Sequence, residues 1–126
     1  MNKLKILVIE DEKDHLEDIC FVLEQAGYKT IKSENGEKGL EMAKNQKPDI
    51  IICDLNMPPG LTGYQVLEEI RKDPGTALIP FIILTVFPRQ DDVDIEFRLK
   101  VQDYIVKPFN FNDLLARVQR CLEEKK

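Results

Sequence analysis

The sequence lacks any long apolar segment. None of its apolar runs approaches the roughly 18 residues that a membrane-spanning helix needs, so we expect no membrane insertion. It also lacks a secretory signal, because Glu10 and Asp11 directly follow the four apolar residues ILVI near the start. A signal peptide would continue there with a longer apolar stretch and a small-residue cleavage site. We therefore expect a cytoplasmic protein.

Cysteines and clusters of basic residues are also scarce. The three cysteines, Cys20, Cys53 and Cys121, form no Cys-x-x-Cys pair and each lies in an apolar pattern, so we interpret them as core residues rather than reactive or metal-bound thiols. The net charge is -5 and no Lys/Arg cluster offsets it, which argues against direct nucleic-acid binding. With no internal repeat or linker, residues 1–126 are predicted to form a single domain.

Apolar runs alternate with amphipathic segments along the whole sequence. Buried strands of a parallel sheet read as near-continuous apolar runs, and ILVI, IIIC and FIIL have this form. The pattern predicts an α/β fold, with a five-stranded parallel sheet built from βα units and helices on both faces. The predicted strands are Leu4–Ile9, Lys29–Ser33, Ile50–Cys53, Ile79–Thr85 and Tyr104–Val106. The predicted helices are Asp14–Ala26, Glu37–Asn45, Thr62–Lys72 and Asn110–Glu123.

Charged or hydroxyl side chains stand at or just past the ends of four predicted strands. These residues are Glu10 and Asp11, Asp54, Thr85, and Lys107. In an open parallel sheet the carboxyl ends of the strands share one edge, so residues at those ends meet in a crevice. Carboxylates suit a hard divalent cation, a hydroxyl and an ammonium suit phosphoryl oxygens, and Asp54 can itself accept a phosphoryl group. The pattern therefore predicts a site at this edge.

Four motifs in order resemble the response-regulator receiver domain, the CheY-like phosphoacceptor of two-component signalling. They are VIEDE after the first strand, CDLNMP at the third, LT ending the fourth and DYIVKPF at the fifth. The resemblance covers essentially the whole chain and implies a doubly wound, flavodoxin-like sheet with strand order 2-1-3-4-5. It also implies a signalling module rather than an enzyme. Such a module takes a phosphoryl group from a histidine kinase or phosphotransfer protein, then changes its binding to a downstream protein target or to a second copy in a phosphorylation-dependent homodimer.

Mapped onto this sequence, the resemblance makes Asp54 the phosphoacceptor. It implies that Glu10 and Asp11 hold Mg2+ together with Asp54 and the backbone carbonyl of Asn56, with Mn2+ as a substitute. The metal is required because a carboxylate nucleophile facing a phosphate in an acidic pocket would otherwise be repelled.

The same resemblance assigns roles to three more residues. Lys107 would pair with a phosphoryl oxygen, and Pro108 after it would form the cis peptide bond usual in the family. Thr85 would bond another phosphoryl oxygen. Tyr104 would be the aromatic switch that turns inward when Thr85 moves.

Some site residues depart from the usual pattern of the family. Glu10 replaces the commoner Asp, and its longer side chain should still reach a cation directly or through water. Val86 and Phe87 after Thr85 predict a bulkier pocket mouth that shelters an aspartyl phosphate from water. The only histidine, His15, is predicted to be a solvated helix residue and not a phosphodonor.

The largest departure falls where the family has its fourth helix. Apolar residues there repeat with period two, which is typical of a strand, and Lys100 stands at the usual glycine cap. The repeating residues are Val93, Ile95, Phe97, Leu99 and Val101. We therefore predict that residues 89–101 form an irregular or shortened helix, with an ordinary helix as the alternative.

Three other functions compete with the phosphoacceptor. A phosphatase acting through an aspartyl phosphate is disfavoured because Asp54-Leu55-Asn56 lacks a second Asp two residues on as general acid. A flavodoxin-like cofactor binder is disfavoured because the first βα loop is Glu-Asp-Glu, which would repel a phosphate without a metal. A pseudo-receiver, which binds proteins without being phosphorylated, remains the alternative.

Overall fold

Five strands and four helices form in the part of the chain that the computed structural model describes, which is residues 3–57, 60–86 and 99–124. The strands are β1 (Lys5–Ile9), β2 (Lys29–Ser33), β3 (Ile50–Asp54), β4 (Phe81–Thr85) and β5 (Asp103–Val106). The helices are α1 (Lys13–Gln25), α2 (Gly36–Gln46), α3 (Gly63–Lys72) and α4 (Phe111–Glu124). The sequence predicts each of these elements to within about two residues at either end.

The strands form one parallel sheet in the order β2-β1-β3-β4-β5, which confirms the predicted topology. In this sheet Ile9 pairs with Cys53, and Asp54 pairs with Leu84. The chain crosses from one side of the sheet to the other around β1, so the carboxyl ends of β1 and β3 lie beside each other at the topological switch point. Residues that follow these two strands therefore face the same crevice.

Apolar side chains cover both faces of the sheet. On one face Ile6 and Val8 of β1 share a core with α1 and α4, and on the other Leu7 and Ile9 share a core with α2 and α3. Successive strand residues point to opposite faces, so a strand that is covered on both sides must be apolar throughout. All three cysteines are free and buried, which confirms their predicted place in the core.

Local capping explains where the helices begin and end. Thr62 and Gln65 form a capping box at the start of α3: the Gln65 amide donates to the Thr62 hydroxyl at 3.2 Å, and the Thr62 amide donates to the Gln65 side chain at 2.8 Å. Asn35 caps α2 by accepting from the Lys38 amide at 2.8 Å. Gly27 follows α1 with a φ of 101°, a left-handed value that favours glycine.

The predicted irregular helix over residues 89–101 falls mostly on residues 87–98, which lie outside the described residues. It stays a prediction. At its end, Leu99 and Val101 contact the core shared by α2 and α3, and Lys100 has a φ of 57°. Lys100 therefore adopts the conformation that a capping glycine would supply. None of the helices in the described part of the chain is both long and apolar enough to cross a membrane.

Candidate functional site

The carboxyl edge of the sheet brings the predicted site residues together. Glu10 and Asp11 follow β1, Asp54 is the last residue of β3, and Lys107 directly follows β5. The Lys107 amide also donates to the Thr85 carbonyl at 2.8 Å, which extends the pairing of β4 and β5 past the end of β5. Acidic side chains from the centre of the sheet thus face a lysine from its edge strand.

The Lys107 ammonium joins two of the carboxylates. Its Nζ atom lies 3.0 Å from Glu10 Oε2 and 3.2 Å from Asp54 Oδ2, so it donates to both. Burial alone would lower the pKa of Lys107, but the hydrogen bond to Glu10 and the charges of Asp54 and Glu10 outweigh burial and raise it. Lys107 is therefore a permanent positive charge in the pocket. The peptide bond between Lys107 and Pro108 is cis, as the sequence predicts.

The carboxylates of Glu10, Asp11 and Asp54 form a cluster. One oxygen from each lies within 4.8 Å of the others. Oxygen donors at this spacing fit a hard divalent cation such as Mg2+, which favours carboxylate ligands and retains several waters. Glu10 and Asp54 are buried and Asp11 is exposed, so a cation could enter from the Asp11 side.

Glu10 is the most buried carboxylate of this cluster, with only 1% of its surface exposed. Its pKa is raised from 4.5 to about 7, because burial and the negative charge of Asp54 disfavour the carboxylate more than Lys107 favours it. The Glu12 amide donates to Glu10 Oε1 at 3.3 Å. The neutral and ionised forms of Glu10 are therefore close to each other in free energy at neutral pH. A bound cation would favour the ionised form.

The loop after Asp54 turns tightly back onto the strand. The Asn56 amide lies 3.4 Å from Asp54 Oδ1, and the Gly63 amide donates to the Leu55 carbonyl at 2.8 Å. These bonds hold the start of α3 against the end of β3. The role of the Asn56 carbonyl as a metal ligand stays a prediction.

Thr85 and Tyr104 occupy neighbouring strands beside Asp54. Thr85 is buried at the end of β4, and Tyr104 is half-buried on β5. The Tyr104 hydroxyl lies 3.2 Å from the hydroxyl of Tyr64, a residue of α3 that the sequence did not single out. Only the three-dimensional packing of α3 against β5 identifies Tyr64, because nothing in its local sequence differs from an ordinary helix residue. Phe87, the predicted shelter of the pocket, lies outside the described residues.

His15 lies in a helix as predicted, but its side chain is half-buried rather than fully solvated. In the first turn of α1 its ring stacks on Phe109 with centroids 5.6 Å apart, and its Nδ1 atom lies 3.8 Å from Glu10 Oε2. Ligand atoms of Glu10, Glu12 and His15 also lie within 4.8 Å of one another. The spacing Glu12-x-x-His15 brings these two side chains onto one helical face, which the sequence could have indicated.

Comparison with known proteins shows which family the chain resembles. The family model for the response regulator receiver domain matches residues 6–119. Protein PilH of Pseudomonas aeruginosa PAO1 is 33% identical over 118 residues, which cover 94% of this chain and 97% of PilH. The phosphate regulon transcriptional regulatory protein PhoB of Escherichia coli K12 is 33% identical over 118 residues, or 94% of this chain. That match covers 51% of PhoB, so the chain spans about half the length of this relative.

A solved structure also matches closely. It is the receiver domain of the sensor histidine kinase PA1611 from Pseudomonas aeruginosa PAO1, with 29% sequence identity and a TM-score of 0.86. The match covers 97% of this chain and 99% of that receiver domain, which has a magnesium ion coordinated in its active-site cleft.

Proposed function

Because the chain belongs to the response regulator receiver domain family, the phosphorylatable modules of two-component signalling, we propose that Asp54 accepts the phosphoryl group. The main support for this proposal is the position of the Asp54 carboxylate. It ends a central strand, contacts the Lys107 ammonium and shares a carboxylate cluster with Glu10 and Asp11. This combination supplies a nucleophile, a cation and oxygen ligands in one crevice.

In the proposed reaction a carboxylate oxygen of Asp54 attacks the phosphorus atom of a phosphohistidine or a small acyl phosphate. A new O–P bond forms while the N–P or O–P bond of the donor breaks, and the electron pair of that bond leaves with the donor. The product is an aspartyl phosphate. Positioning and charge neutralisation supply most of the catalysis in such transfers, so the groups around Asp54 matter more than any proton transfer.

Lys107 supplies the fixed positive charge in this scheme. Its ammonium contacts Asp54 Oδ2, and a short movement would let it donate to an oxygen of the transferred group instead. Thr85 donates its hydroxyl to a second phosphoryl oxygen. Movement of Thr85 then changes the packing of Tyr104 on the neighbouring strand. In this way the effect of phosphorylation is transmitted to the protein surface.

The carboxylates of Glu10, Asp11 and Asp54 would hold Mg2+, with the Asn56 carbonyl as a further ligand and Mn2+ as a substitute. The bound cation would neutralise the negative charge that accumulates when a phosphoryl group approaches three carboxylates. Burial restricts the Glu10 side chain to a position where it can bind the ion. Asp11 is exposed, so the hydrated ion can approach the site from its side.

The partners follow from the chemistry of the acceptor. The phosphodonor is a histidine kinase or phosphotransfer protein, and the receiver of the signal is a downstream protein or a second phosphorylated copy of the chain. PilH matches over nearly its whole length, which supports a receiver that acts as one domain over residues 1–126. We further propose that the protein works in the cytoplasm as a binding module rather than an enzyme. The acceptor, the lysine and the acidic cluster support phosphorylation over a pseudo-receiver.

Beryllofluoride, which mimics a phosphoryl group on a carboxylate, tests the proposed acceptor without a kinase. With Mg2+ present, fluorine NMR of the wild type should give bound signals, and Asp54→Ala should give none. Glu41→Ala, a change in an exposed residue of α2, is the control and should bind like the wild type. Equal binding to wild type and Asp54→Ala would refute the assignment.

A further inference from the structure

The guanidinium of Arg71, near the end of α3, donates five hydrogen bonds to neutral acceptors. Its Nε, Nη1 and Nη2 atoms contact four backbone carbonyls and one side-chain amide. The acceptors are Leu99 O (2.7 Å), Ala77 O (3.0 Å), Ile79 O (2.7 Å), Lys100 O (2.9 Å) and Gln102 Oε1 (3.3 Å). Within residues 3–57, 60–86 and 99–124 no carboxylate forms an ion pair with it. Among the described residues, this half-buried cation is stabilised by four backbone carbonyls and one side-chain amide rather than by a carboxylate.

These acceptors belong to two separate segments at the amino edge of the sheet. One segment leads into β4 and the other, Leu99–Gln102, leads into β5. Gln102 strengthens the junction, because its amide donates to the Phe81 carbonyl at 2.9 Å and its side chain accepts from the Phe81 amide at 2.6 Å. Arg71 therefore ties the approaches of both strands to α3.

The contact of Arg71 with the approach to β5 matters because β5 is a strand of four residues at the edge of the sheet, and among the described strands it pairs only with β4. Tyr104 lies on it and Lys107 follows it. At about 3.3 Å per residue, Lys107 stands roughly 13 Å from the start of this strand. A short strand moves as a unit, so a shift at its start is carried to the Lys107 ammonium. A displacement of about 1 Å there would lengthen the contacts of Lys107 with Glu10 and Asp54, now 3.0 and 3.2 Å, unless the lysine side chain follows the shift.

The fork of the guanidinium is specific to arginine. One lysine ammonium carries three donors on a single atom and cannot reach carbonyls on both segments at once. α3 also contacts β5 at a second point, through the hydroxyl contact of Tyr64 with Tyr104. One helix thus contacts both the approach to β5 and the proposed switch residue on it.

We propose that Arg71 is a positioning residue, whose guanidinium fixes the approach to β5 and through it the positions of Tyr104 and Lys107. The consequence for phosphorylation rests on the proposed role of Lys107 at Asp54. Arg71 touches neither the phosphoryl group nor the acidic cluster, and acts only through β5.

Three variants test the proposal in the full chain. Arg71→Met keeps much of the apolar stem, Arg71→Lys keeps the charge, and Lys72→Met is the control because Lys72 is exposed and pairs only with Glu68 and Glu69 among the described residues. Hydrogen exchange measured by mass spectrometry should rise by about tenfold or more at residues 102–106 in both Arg71 variants. Exchange in β1 and β3 should stay as in the wild type, and Lys72→Met should change neither region.

The rate constant for Asp54 labelling by acetyl phosphate with Mg2+ is the second readout. It should fall by about tenfold in Arg71→Met and Arg71→Lys, and stay unchanged in Lys72→Met. If Arg71→Lys shows the same exchange and the same labelling rate as the wild type, the proposal is overturned. A positive charge or the packing of the side-chain stem would then be enough to position β5. A uniform rise in exchange across the sheet would overturn it as well, since that result indicates general destabilisation. If the wild type takes up no phosphoryl group, the proposed function fails, and the exchange comparison alone decides the role of Arg71.

Discussion

Glu10 is the residue whose burial has the clearest consequence for stability. Its pKa is raised from 4.5 to about 7, so between these values the unfolded chain loses the proton while the folded chain keeps it. Without divalent cations, the free energy of unfolding should therefore fall as pH rises from about 4.5 to 7, by up to about 3 kcal/mol from this residue.

In Glu10→Gln the free energy of unfolding should lose the part of its fall with pH that Glu10 causes, because glutamine does not ionise. Urea denaturation in the presence of a chelator, at intervals from pH 4.5 to 8, measures both curves. Above pH 7 the variant should be the more stable protein. Parallel curves for the two proteins would show that Glu10 ionises as easily in the folded chain as in the unfolded one.

The two acidic residues after β1 should contribute unequally to metal binding. We expect Asp11→Asn to weaken binding and Asp54 labelling more than Glu10→Gln does, because the family resemblance implies that Asp11 would be the more direct ligand and that Glu10 would act through water. Paramagnetic broadening of NMR signals by Mn2+ ranks the affinities. The opposite ranking would mean that the longer Glu10 side chain coordinates the ion directly.

Individual site residues can be predicted from the sequence when they stand at the end of a predicted strand. They cannot be predicted when their role depends on tertiary contacts. Glu10, Asp54 and Lys107 were predictable because each follows an apolar run, and parallel strands end at one edge. The stacking of His15 on Phe109 and the role of Arg71 were not predictable, because both depend on residues that lie far away in sequence. Phe109 for His15 and the approach to β5 for Arg71 become neighbours only in the folded chain.

Among the elements, α3 packs tightly against the strand end that carries the proposed acceptor. A Cβ atom on Gly63 would lie 2.7 Å from the Asp54 carbonyl oxygen and 2.9 Å from Leu55 Cα, so the helix or the strand end would have to move. Gly63→Ala should destabilise the protein by about 1–3 kcal/mol and slow Asp54 labelling.

Gly75→Ala is the matched control for that change. A Cβ at Gly75 would meet only the mobile ends of Lys47 and Asp73 at 3.2 and 3.3 Å, so its stability and labelling rate should stay close to those of the wild type. Thermal denaturation and intact mass spectrometry measure both properties. If Gly63→Ala behaves like Gly75→Ala, the close packing of α3 on β3 is unimportant to the site.

Element boundaries were predictable wherever a capping residue marks them. The predicted helices start at Thr62 and Asn110, and these are the two residues that cap them: Thr62 begins the capping box, and Asn110 accepts from the Asn112 and Asp113 amides. The end of the segment before β5 was harder to predict. Lys100 adopts a left-handed conformation there, at a position where sequence patterns normally predict glycine. Arg71, which is distant in sequence, donates a hydrogen bond to the Lys100 carbonyl.

For the whole molecule, the βα repeat predicts a parallel sheet and right-handed crossovers limit its topology, while the strand order itself came from the family resemblance. The site is then a property of the fold, since residues 97 positions apart, Glu10 and Lys107, meet at 3.0 Å. A ligand that binds only the folded site must stabilise the entire domain by mass action.

Mg2+ should therefore raise the free energy of unfolding of the whole domain. At ten times its dissociation constant it should add about 1.4 kcal/mol to the wild type, and clearly less to Asp11→Asn at the same concentration. Urea midpoints with and without Mg2+ give the comparison, and Lys72→Met serves as a folded control. An equal gain in Asp11→Asn would indicate that Mg2+ binds outside the acidic cluster.

Labelling by acetyl phosphate, followed by intact mass spectrometry, is the most direct test of Asp54 as the phosphoacceptor. In the presence of Mg2+ the wild type should gain the mass of one phosphoryl group. Asp54→Ala should gain none, and neither should the wild type in the presence of a chelator. Labelling that persists in Asp54→Ala, or that proceeds equally well without a divalent cation, would contradict the account.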